Sequence, residues 1–222
     1  MTALPRDIVI EFAGMPKSGK TTVLDILSHR IRRAGWTAAD FHGGGRYAPV
    51  GKKNLASLNL YLAGSALQYV ATIGSDERPP RFHLLDRGLN DRVIFSRALR
   101  SLGLLDGVHV AAIEQLADVP DVRSKVDLCF VFTTTSELSL RRERANRLTT
   151  ADGRIMNSPR IEALRKAATD FSAAEPAPAG PRIIPVDTAR LDGAVRETAR
   201  FALEAIATIV PEDVARSLGA DT

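Results

Sequence analysis

One stretch decides how this chain folds: Gly14-Met15-Pro16-Lys17-Ser18-Gly19-Lys20-Thr21. Ahead of it, the apolar and partly β-branched residues 8–13 predict a short buried strand. Behind it, apolar residues recur at helical spacing and predict a helix that ends near Gly35. The order of strand, glycine-rich turn and helix is the context that the pattern G-x-x-x-x-G-K-[ST] requires, and it argues against a chance match.

The residue types in this stretch suit a phosphate-binding loop. Gly14 and Gly19 let the backbone wrap closely around phosphate oxygens, and the following helix adds the positive end of its dipole. Lys20 can reach the β- and γ-phosphates, and the Thr21 hydroxyl is placed to ligate Mg²⁺. The sequence therefore predicts that the chain binds a nucleoside triphosphate. The residues predicted to contact it here are Gly14, Lys17, Ser18, Gly19, Lys20, Thr21 and Thr22.

Length and composition fit one globular domain. The 222 residues, with 45% hydrophobic content, can bury a full core, and we expect a single domain over residues 1–222. Cys129 is the only cysteine, so no intrachain disulfide can form, and its apolar neighbours predict a buried thiol. No stretch approaches the length of a membrane span, and the N-terminus lacks the pattern of a signal peptide. We therefore expect a cytoplasmic protein with no membrane partner.

The charge balance is mildly basic, with a net charge of +4 and a pI near 9.5. Such a balance can indicate nucleic-acid binding. Seven of the 30 basic residues fall in two local groups, however, and anionic small molecules explain these groups about as well. The groups are Arg46, Lys52 and Lys53, and Arg141, Arg142, Arg144 and Arg147.

Hydrophobic periodicity predicts alternating strands and helices along the rest of the chain. Five strands separated by helices indicate an α/β protein with a five-stranded parallel sheet covered on both faces, a three-layer α-β-α arrangement. Ligands of such sheets bind at the carboxyl ends of the strands. The predicted strands cover residues 8–13, 36–42, 81–86, 126–132 and 182–187. The predicted helices include residues 54–73, 91–105, 108–116, 159–171 and 191–209.

An acid and a basic residue follow one another at the end of the third strand. Asp86 can ligate Mg²⁺ or hold a metal-bound water across from the glycine-rich loop, although a helix cap is the alternative role. Arg87 can contact a substrate phosphate or hydroxyl, or can be a solvated arginine. At the end of the second strand, Asp40 and His42 are candidates for a general base that activates a substrate hydroxyl.

An arginine-rich segment follows the fourth strand. Arg141, Arg144 and Arg147 lie within two helical turns, where like charges repel unless an anion neutralises them. Such a cluster is expected where phosphoryl charge is neutralised during transfer. A solvated helix face, relieved by Glu137 and Glu143, is the alternative.

Taken together, the chain resembles the P-loop kinases of the thymidylate kinase and deoxynucleoside kinase type. The resemblance rests on residues 14–21, the pair Asp86-Arg87 and the arginine-rich helix 141–147, which come in the family's order. It implies a P-loop NTPase fold, ATP and Mg²⁺ as cofactors, and a nucleoside or nucleotide acceptor. It also implies that Asp86 and Arg87 serve the metal and the acceptor, and that an arginine-rich helical lid near residues 137–160 closes on the donor phosphates. Asp187, after the last strand, falls where such kinases hold the adenine.

One loop departs from the family's pattern. Thymidylate kinases carry a turn resembling Glu-Pro-Gly after the second strand, whereas this chain has His42-Gly43-Gly44-Gly45-Arg46. This loop belongs to the acceptor-binding region, about residues 42–75, so the acceptor is not identified. Two other functions stay open: a kinase of nucleic-acid 5′-hydroxyl ends and a nucleotide-hydrolysing switch, although the chain has no Asn-Lys-x-Asp guanine motif. Helices 54–73 and 91–105 can form a homodimer face or part of the core.

Overall fold

The computed structural model describes residues 4–45, 48–51, 55–75, 77–145, 156–175, 178–190 and 195–219. Within these ranges the chain forms five strands and nine helices. All five strands lie where the sequence predicts them, with boundaries that differ by at most two residues. They are β1 (Ile8–Gly14), β2 (Ala38–His42), β3 (Phe82–Asp86), β4 (Leu128–Thr133) and β5 (Arg182–Asp187).

The strands form one parallel sheet in the order β2-β3-β1-β4-β5. β1 occupies the centre, and all seven of its residues are buried, which explains why all of them except Glu11 are apolar or glycine. Phe12 of β1 is level with Asp86 of β3, and Gly14 is level with Phe132 of β4. The carboxyl ends of these three strands therefore meet at one edge of the sheet, where the strand order reverses.

The helices connect the strands and cover the sheet. Two of them, α5 and α9, are absent from the sequence prediction because segments of four and six residues carry too little periodicity. The helices are α1 (Lys20–Arg33), α2 (Leu55–Thr72), α3 (Leu89–Ser101), α4 (Gly107–Ala117), α5 (Pro120–Arg123), α6 (Ser136–Ala145), α7 (Ser158–Ala173), α8 (Val195–Ala207) and α9 (Glu212–Ser217).

Side chains of β1 alternate between the two faces of the sheet. Ile8, Ile10 and Phe12 pack with α1, α8 and α9 on one face. On the other face, Val9 packs with α2 and α3, and Ala13 packs with α3 and α7. The predicted three-layer α-β-α fold is therefore confirmed, with a hydrophobic core on each side of the sheet.

Two further expectations concern single features of the chain. Cys129 lies buried in β4, and burial raises the pKa of its thiol well above the usual value. Among the helices of the described ranges, none combines the length and the apolar character that crossing a membrane requires.

Candidate active site

The loop between β1 and α1 turns through two left-handed glycines. Gly14 and Gly19 have φ angles of 105° and 96°, which side chains rarely tolerate. Gly14 also has no space for a side chain, because a Cβ atom would lie 2.3 Å from the carbonyl oxygen of Phe132. Gly19 is the N-cap of α1 and has no side chain that could accept a hydrogen bond from the first N–H groups of the helix. The loop thus presents the start of α1 as a site for an anion.

Lys20 lies buried inside this loop, with only 4% of the residue exposed. Its Nζ donates hydrogen bonds to the carbonyl oxygens of Gly14 at 3.1 Å and Met15 at 2.5 Å. Burial, together with the positive charge of Arg87, lowers the pKa of Lys20 to about 7. The amine is therefore held at the loop by groups that a phosphate oxygen can replace.

Thr21 and Asp86 meet across the edge of the sheet. The Thr21 hydroxyl donates to Asp86 Oδ2 at 2.9 Å, whereas Asp86 Oδ1 is buried and has no hydrogen-bond partner. A hydroxyl beside a carboxylate with an unsatisfied oxygen fits the ligands that Mg²⁺ prefers. Within the described ranges, no three His, Cys, Asp or Glu side chains converge to bind a metal by themselves. A cation here would therefore share its coordination with water and phosphate oxygens.

Arg87 is held in an uncommon backbone conformation beside this site. Its φ angle is 70°, and its N–H donates to the Phe12 carbonyl at 3.0 Å. The guanidinium lies 5.0 Å from the centre of the Phe95 ring. The loop after β2 packs closely here, since Gly43 donates its N–H to the Asp86 carbonyl at 2.8 Å. A Cβ atom at Gly43 would lie 1.9 Å from the carbonyl oxygen of Arg87.

Asp91, in the first turn of α3, links Arg87 to the phosphate-binding loop. Its Oδ1 accepts from the N–H of Gly14 at 2.8 Å. Its Oδ2 contacts Arg87 at 3.4 Å and also pairs with Arg92. Burial alone would raise the pKa of Asp91, but the two guanidinium groups and Lys20 outweigh it and lower the pKa. Asp91 is therefore an ionised carboxylate that fixes groups on both sides of the site.

Glu11, in the middle of β1, supports Asp91 from below. Its two carboxyl oxygens accept from the Asp91 backbone N–H and from the Asn90 side chain, each at 2.8 Å. Burial raises the pKa of Glu11 to about 7, although these hydrogen bonds lower it. The sequence prediction assigned no site role to Glu11 or Asp91. An acid within an apolar strand, and an acid four residues after Arg87, were the available indications.

Helix α6 is fastened to the outside of the phosphate-binding loop. Ser139 is buried and donates its hydroxyl to the Pro16 carbonyl at 2.9 Å. One turn later, Arg142 donates to the Lys17 carbonyl at 3.0 Å, and Glu143 pairs with Lys17 Nζ at 3.0 Å. These three residues of α6 have i, i+3, i+4 spacing and share one helix face.

The remaining arginines of α6 lie elsewhere. Arg141 and Arg144 are exposed and line neither of the two cavities of the site, so the structure does not place them at the phosphate-binding loop. Arg142, which the sequence prediction did not choose, is the arginine of this helix that lines the loop's cavity. Arg147 falls outside the described residues, as do Arg46, Lys52 and Lys53.

Two cavities meet at this edge of the sheet, and three residues line both of them: Pro16, Lys17 and Arg87. The first has a volume of about 510 Å³, and its other lining residues are Ser18, Gly19, Lys20, Thr21, Thr22, Val23, Arg142, Thr188, Val195 and Thr198. The second has a volume of about 540 Å³ and extends between α2, α3 and α7, beside the loop after β2. The arrangement offers two adjacent binding sites with a cationic boundary.

Two predicted site residues are directed away from these cavities. Asp40 is exposed and accepts hydrogen bonds from Ser28 at 3.1 Å and Arg32 at 2.8 Å, both on α1. It lies two residues before the end of β2, so it is level with the middle of α1 and not with the start of that helix. Asp187 accepts from the N–H of Ala189 at 3.0 Å within its own turn. Neither acid lines a cavity of the site.

Comparisons with known proteins agree with this architecture. The sequence matches no protein-family model and no curated protein. In fold, the chain resembles thymidylate kinase from Candida albicans, with a TM-score of 0.63 and 17% identity over 97% of this chain and 95% of that one. It also resembles M. mycoides deoxyadenosine kinase with dCMP and dCDP bound, with a TM-score of 0.67 and 15% identity over 90% of this chain and 100% of that one. The same enzyme with dATP bound gives a TM-score of 0.65 at 13% identity, over 90% and 99% of the two chains. The chain thus has the fold of P-loop kinases of the thymidylate kinase and deoxyadenosine kinase type.

Proposed function

We propose that this protein is an ATP- and Mg²⁺-dependent phosphotransferase, which moves the γ-phosphoryl group to a nucleotide, a nucleoside or a similar small-molecule acceptor. The observation that carries the proposal is the pair of cavities that meet at Pro16, Lys17 and Arg87. Direct transfer needs two substrates in adjacent sites, with positive charge at the boundary where the phosphoryl group passes. Both cavities have volumes typical of small-molecule sites.

The first cavity is assigned to ATP. The backbone of the glycine-rich loop and Lys20 would hold the phosphates, and Arg142 would add charge from α6. Thr21 and Asp86 would hold Mg²⁺, which when bound neutralises charge on the phosphate oxygens. Thr188 and Thr198 line the same cavity and would contact the nucleoside part of ATP.

The second cavity is assigned to the acceptor. Arg87 lines both cavities, and its contacts with Asp91 and Phe95 fix the guanidinium at the boundary, where an accepting hydroxyl or phosphate would lie. A preorganised cation at this place costs no rearrangement during transfer. The contacts of α6 with Pro16 and Lys17 close one side of the boundary and would keep water from the γ-phosphate.

The structural neighbours support the class of acceptor. One is by name a thymidylate kinase and the other a deoxyadenosine kinase, so the same fold serves a nucleotide acceptor in one case and a nucleoside acceptor in the other. We carry over the class and neither individual substrate, because the identities of 17% and 15% leave the acceptor site free to differ.

The proposal is tested by acceptor-dependent formation of ADP. The assay contains ATP, Mg²⁺ and one acceptor at a time: nucleosides, nucleoside monophosphates, small alcohols and an oligonucleotide with a 5′-hydroxyl end. We expect ADP formation that depends on a small-molecule acceptor. Hydrolysis at one rate with every acceptor would contradict a kinase and favour a nucleotide switch, and transfer to the oligonucleotide alone would favour a nucleic-acid kinase.

Two variants separate the roles of the first cavity. Lys20→Ala should abolish transfer while leaving thermal unfolding cooperative, because the lysine serves the ligand and not the core. Asp86→Asn should raise the Mg²⁺ concentration needed for half-maximal rate, because it removes a charged metal ligand. An unchanged Mg²⁺ titration in Asp86→Asn would mean that this carboxylate only accepts the hydrogen bond of the Thr21 hydroxyl and holds no metal.

A further inference from the structure

The second cavity has an apolar wall on helix α2. This helix packs Ala63, Ala66 and Val70 into the core against β1 and β3. Its Leu55, Leu58 and Leu62, with i, i+3, i+7 spacing, lie on the adjoining part of the helix surface and line the cavity. Leu58 and Leu62 are 8% and 5% exposed, whereas Leu55 is partly exposed. An apolar ligand in the cavity would cover the part of this wall that is still exposed.

The facing walls have the same character. Helix α3 contributes Leu99 and Leu102, and α7 contributes Leu164, with Met156 just before that helix. Gly45, in the loop after β2, lies beside the leucines of α2, since a Cβ atom added to it would be 3.8 to 3.9 Å from the methyl groups of Leu58 and Leu62. The cavity is therefore apolar on three sides among the residues that the structure describes.

The charged groups of this cavity are concentrated toward the phosphate-binding loop. Lys17 and Arg87 line both cavities, and Glu143 pairs with Lys17. Arg92 pairs with Asp91, which itself holds the N–H of Gly14. A ligand in this cavity therefore meets charge at the boundary with the ATP site.

Two polar residues of the lining lie outside this charged group: Asn59 and Arg160. Asn59 shares the leucine face of α2 and is 4% exposed. Its side-chain N–H donates to the Leu55 carbonyl at 2.7 Å, so part of its hydrogen-bonding capacity is used within the helix. A ligand with several polar edges would bury most of them against leucine, which costs binding energy for every edge left without a partner.

We propose that the acceptor carries its phosphoryl-accepting hydroxyl or phosphate at Arg87 and has a mainly apolar body, which the leucines of α2, α3 and α7 hold by shape. This inference rests on the proposed phosphotransferase function and narrows its acceptor. This acceptor differs from an ordinary nucleoside in the part farthest from the phosphoryl group. Where a nucleoside has a hydrogen-bonding base, the acceptor has an apolar ring or chain.

The test compares polar acceptors with apolar ones, and the nucleoside pairs are matched in shape. Thymidine and its 5′-monophosphate are assayed beside the isosteres in which difluorotoluene replaces thymine, and 3-phenylpropan-1-ol is assayed beside glycerol. A site that reads polar edges rejects an analogue lacking them by roughly 10⁴-fold, whereas an apolar pocket does not. We expect kcat/KM for the apolar member of at least one pair to equal or exceed that of its polar partner.

Each other outcome has a defined meaning. A preference of 100-fold or more for the polar member of every active pair would overturn the inference. Turnover of no apolar acceptor, while MgATP still binds, would overturn it as well. Failure to bind MgATP, measured by calorimetry, would instead remove the proposed function on which the inference rests.

Variants of α2 test the wall itself. Leu62→Asn should raise KM for the apolar acceptor roughly tenfold or more while leaving KM for ATP within about twofold, because Leu62 lines the second cavity and not the first. The matched control is Tyr61→Asn, whose side chain lies on the exposed side of the same helix and is 42% exposed. Leu55→Asn, at the less buried start of α2, repeats the test if Leu62→Asn unfolds. Unchanged acceptor KM in both leucine variants would refute the assignment of this wall.

Discussion

Lys20 should take up a proton when a nucleotide binds. Its pKa of about 7 means that, above pH 7, most of the free protein carries a neutral amine in the loop that receives the phosphates. Bound phosphate oxygens would replace the carbonyl groups of Gly14 and Met15 around Nζ, and anionic partners favour the charged amine. The pKa of Lys20 therefore rises on binding. The affinity for the nucleotide is therefore highest at low pH and falls as pH rises through the pKa of Lys20 in the free protein.

The magnitude follows from the fraction of Lys20 that is protonated. Half of the amine is charged at pH 7 and about 1% at pH 9, so affinity should fall roughly 50-fold between them, about 2 kcal/mol, if the pKa in the complex exceeds 9. At pH 8 the uptake should be about 0.9 proton per nucleotide bound. The phosphates add little to this change, because their last protons leave near pH 6.

The measurement is isothermal calorimetry of MgADP binding at pH 8 in two buffers of different ionisation enthalpy, which gives the protons taken up directly. ADP is used so that no turnover occurs. Lys20→Arg is the control, because a guanidinium stays charged over this range and should show no uptake at this position. Equal MgADP affinity at pH 7 and pH 9, with no proton uptake in the unaltered protein, would refute the reasoning.

Three further predictions concern residues around the loop. Gly43→Ala should lower the free energy of unfolding by roughly 1–3 kcal/mol in urea titrations, because its Cβ meets a carbonyl oxygen at 1.9 Å, whereas Gly44→Ala, in open space, should leave it nearly unchanged. Arg142→Ala should raise KM for ATP about tenfold in steady-state assays, since a charge in the ATP cavity is lost, and Arg141→Ala should change it less than twofold. Between pH 4.5 and 7 the native Glu11 carboxyl keeps a proton that the unfolded chain releases, so the free energy of unfolding falls as pH rises. Glu11→Gln should make this fall smaller by up to about 3 kcal/mol, because glutamine does not titrate. Urea titrations at pH 4.5 and at pH 7 measure the fall in both proteins.

The layered fold could be predicted from the sequence because its determinants are local. The apolar runs of β1 and β4 are long enough to indicate buried strands, and the glycine-rich stretch fixes the direction of the chain from strand to helix. The order of the strands in the sheet depends on which edges pair, and no single segment carries that information. The C-terminal α9 was missed for a related reason, since one and a half turns show no clear period.

The site was predictable only where one segment contains its parts. Lys20 and Thr21 follow from a single motif, and Asp86 follows from its place at the end of a strand. Which arginine of α6 contacts the loop depends on the face of the helix that meets it, and Arg142 lies on the same face as buried Ser139. Asp40 was chosen from strand position alone, and its partners on α1 became visible only with the helix packed against β2.

Several residues with costly conformations or burial lie together at this one edge of the sheet. Lys17 and Arg87 have left-handed backbone without being glycine, and Glu11, Lys20 and Asp91 are ionisable groups with almost no exposure. Left-handed backbone outside glycine and the burial of a charge without partners each cost free energy, and a protein of this size could form the same sheet without them. Their convergence on a loop that offers N–H groups to an anion is expected where binding and catalysis need preorganised charge. The strain and burial of the chain's own residues therefore indicate an active site at this edge, independently of any structural neighbour.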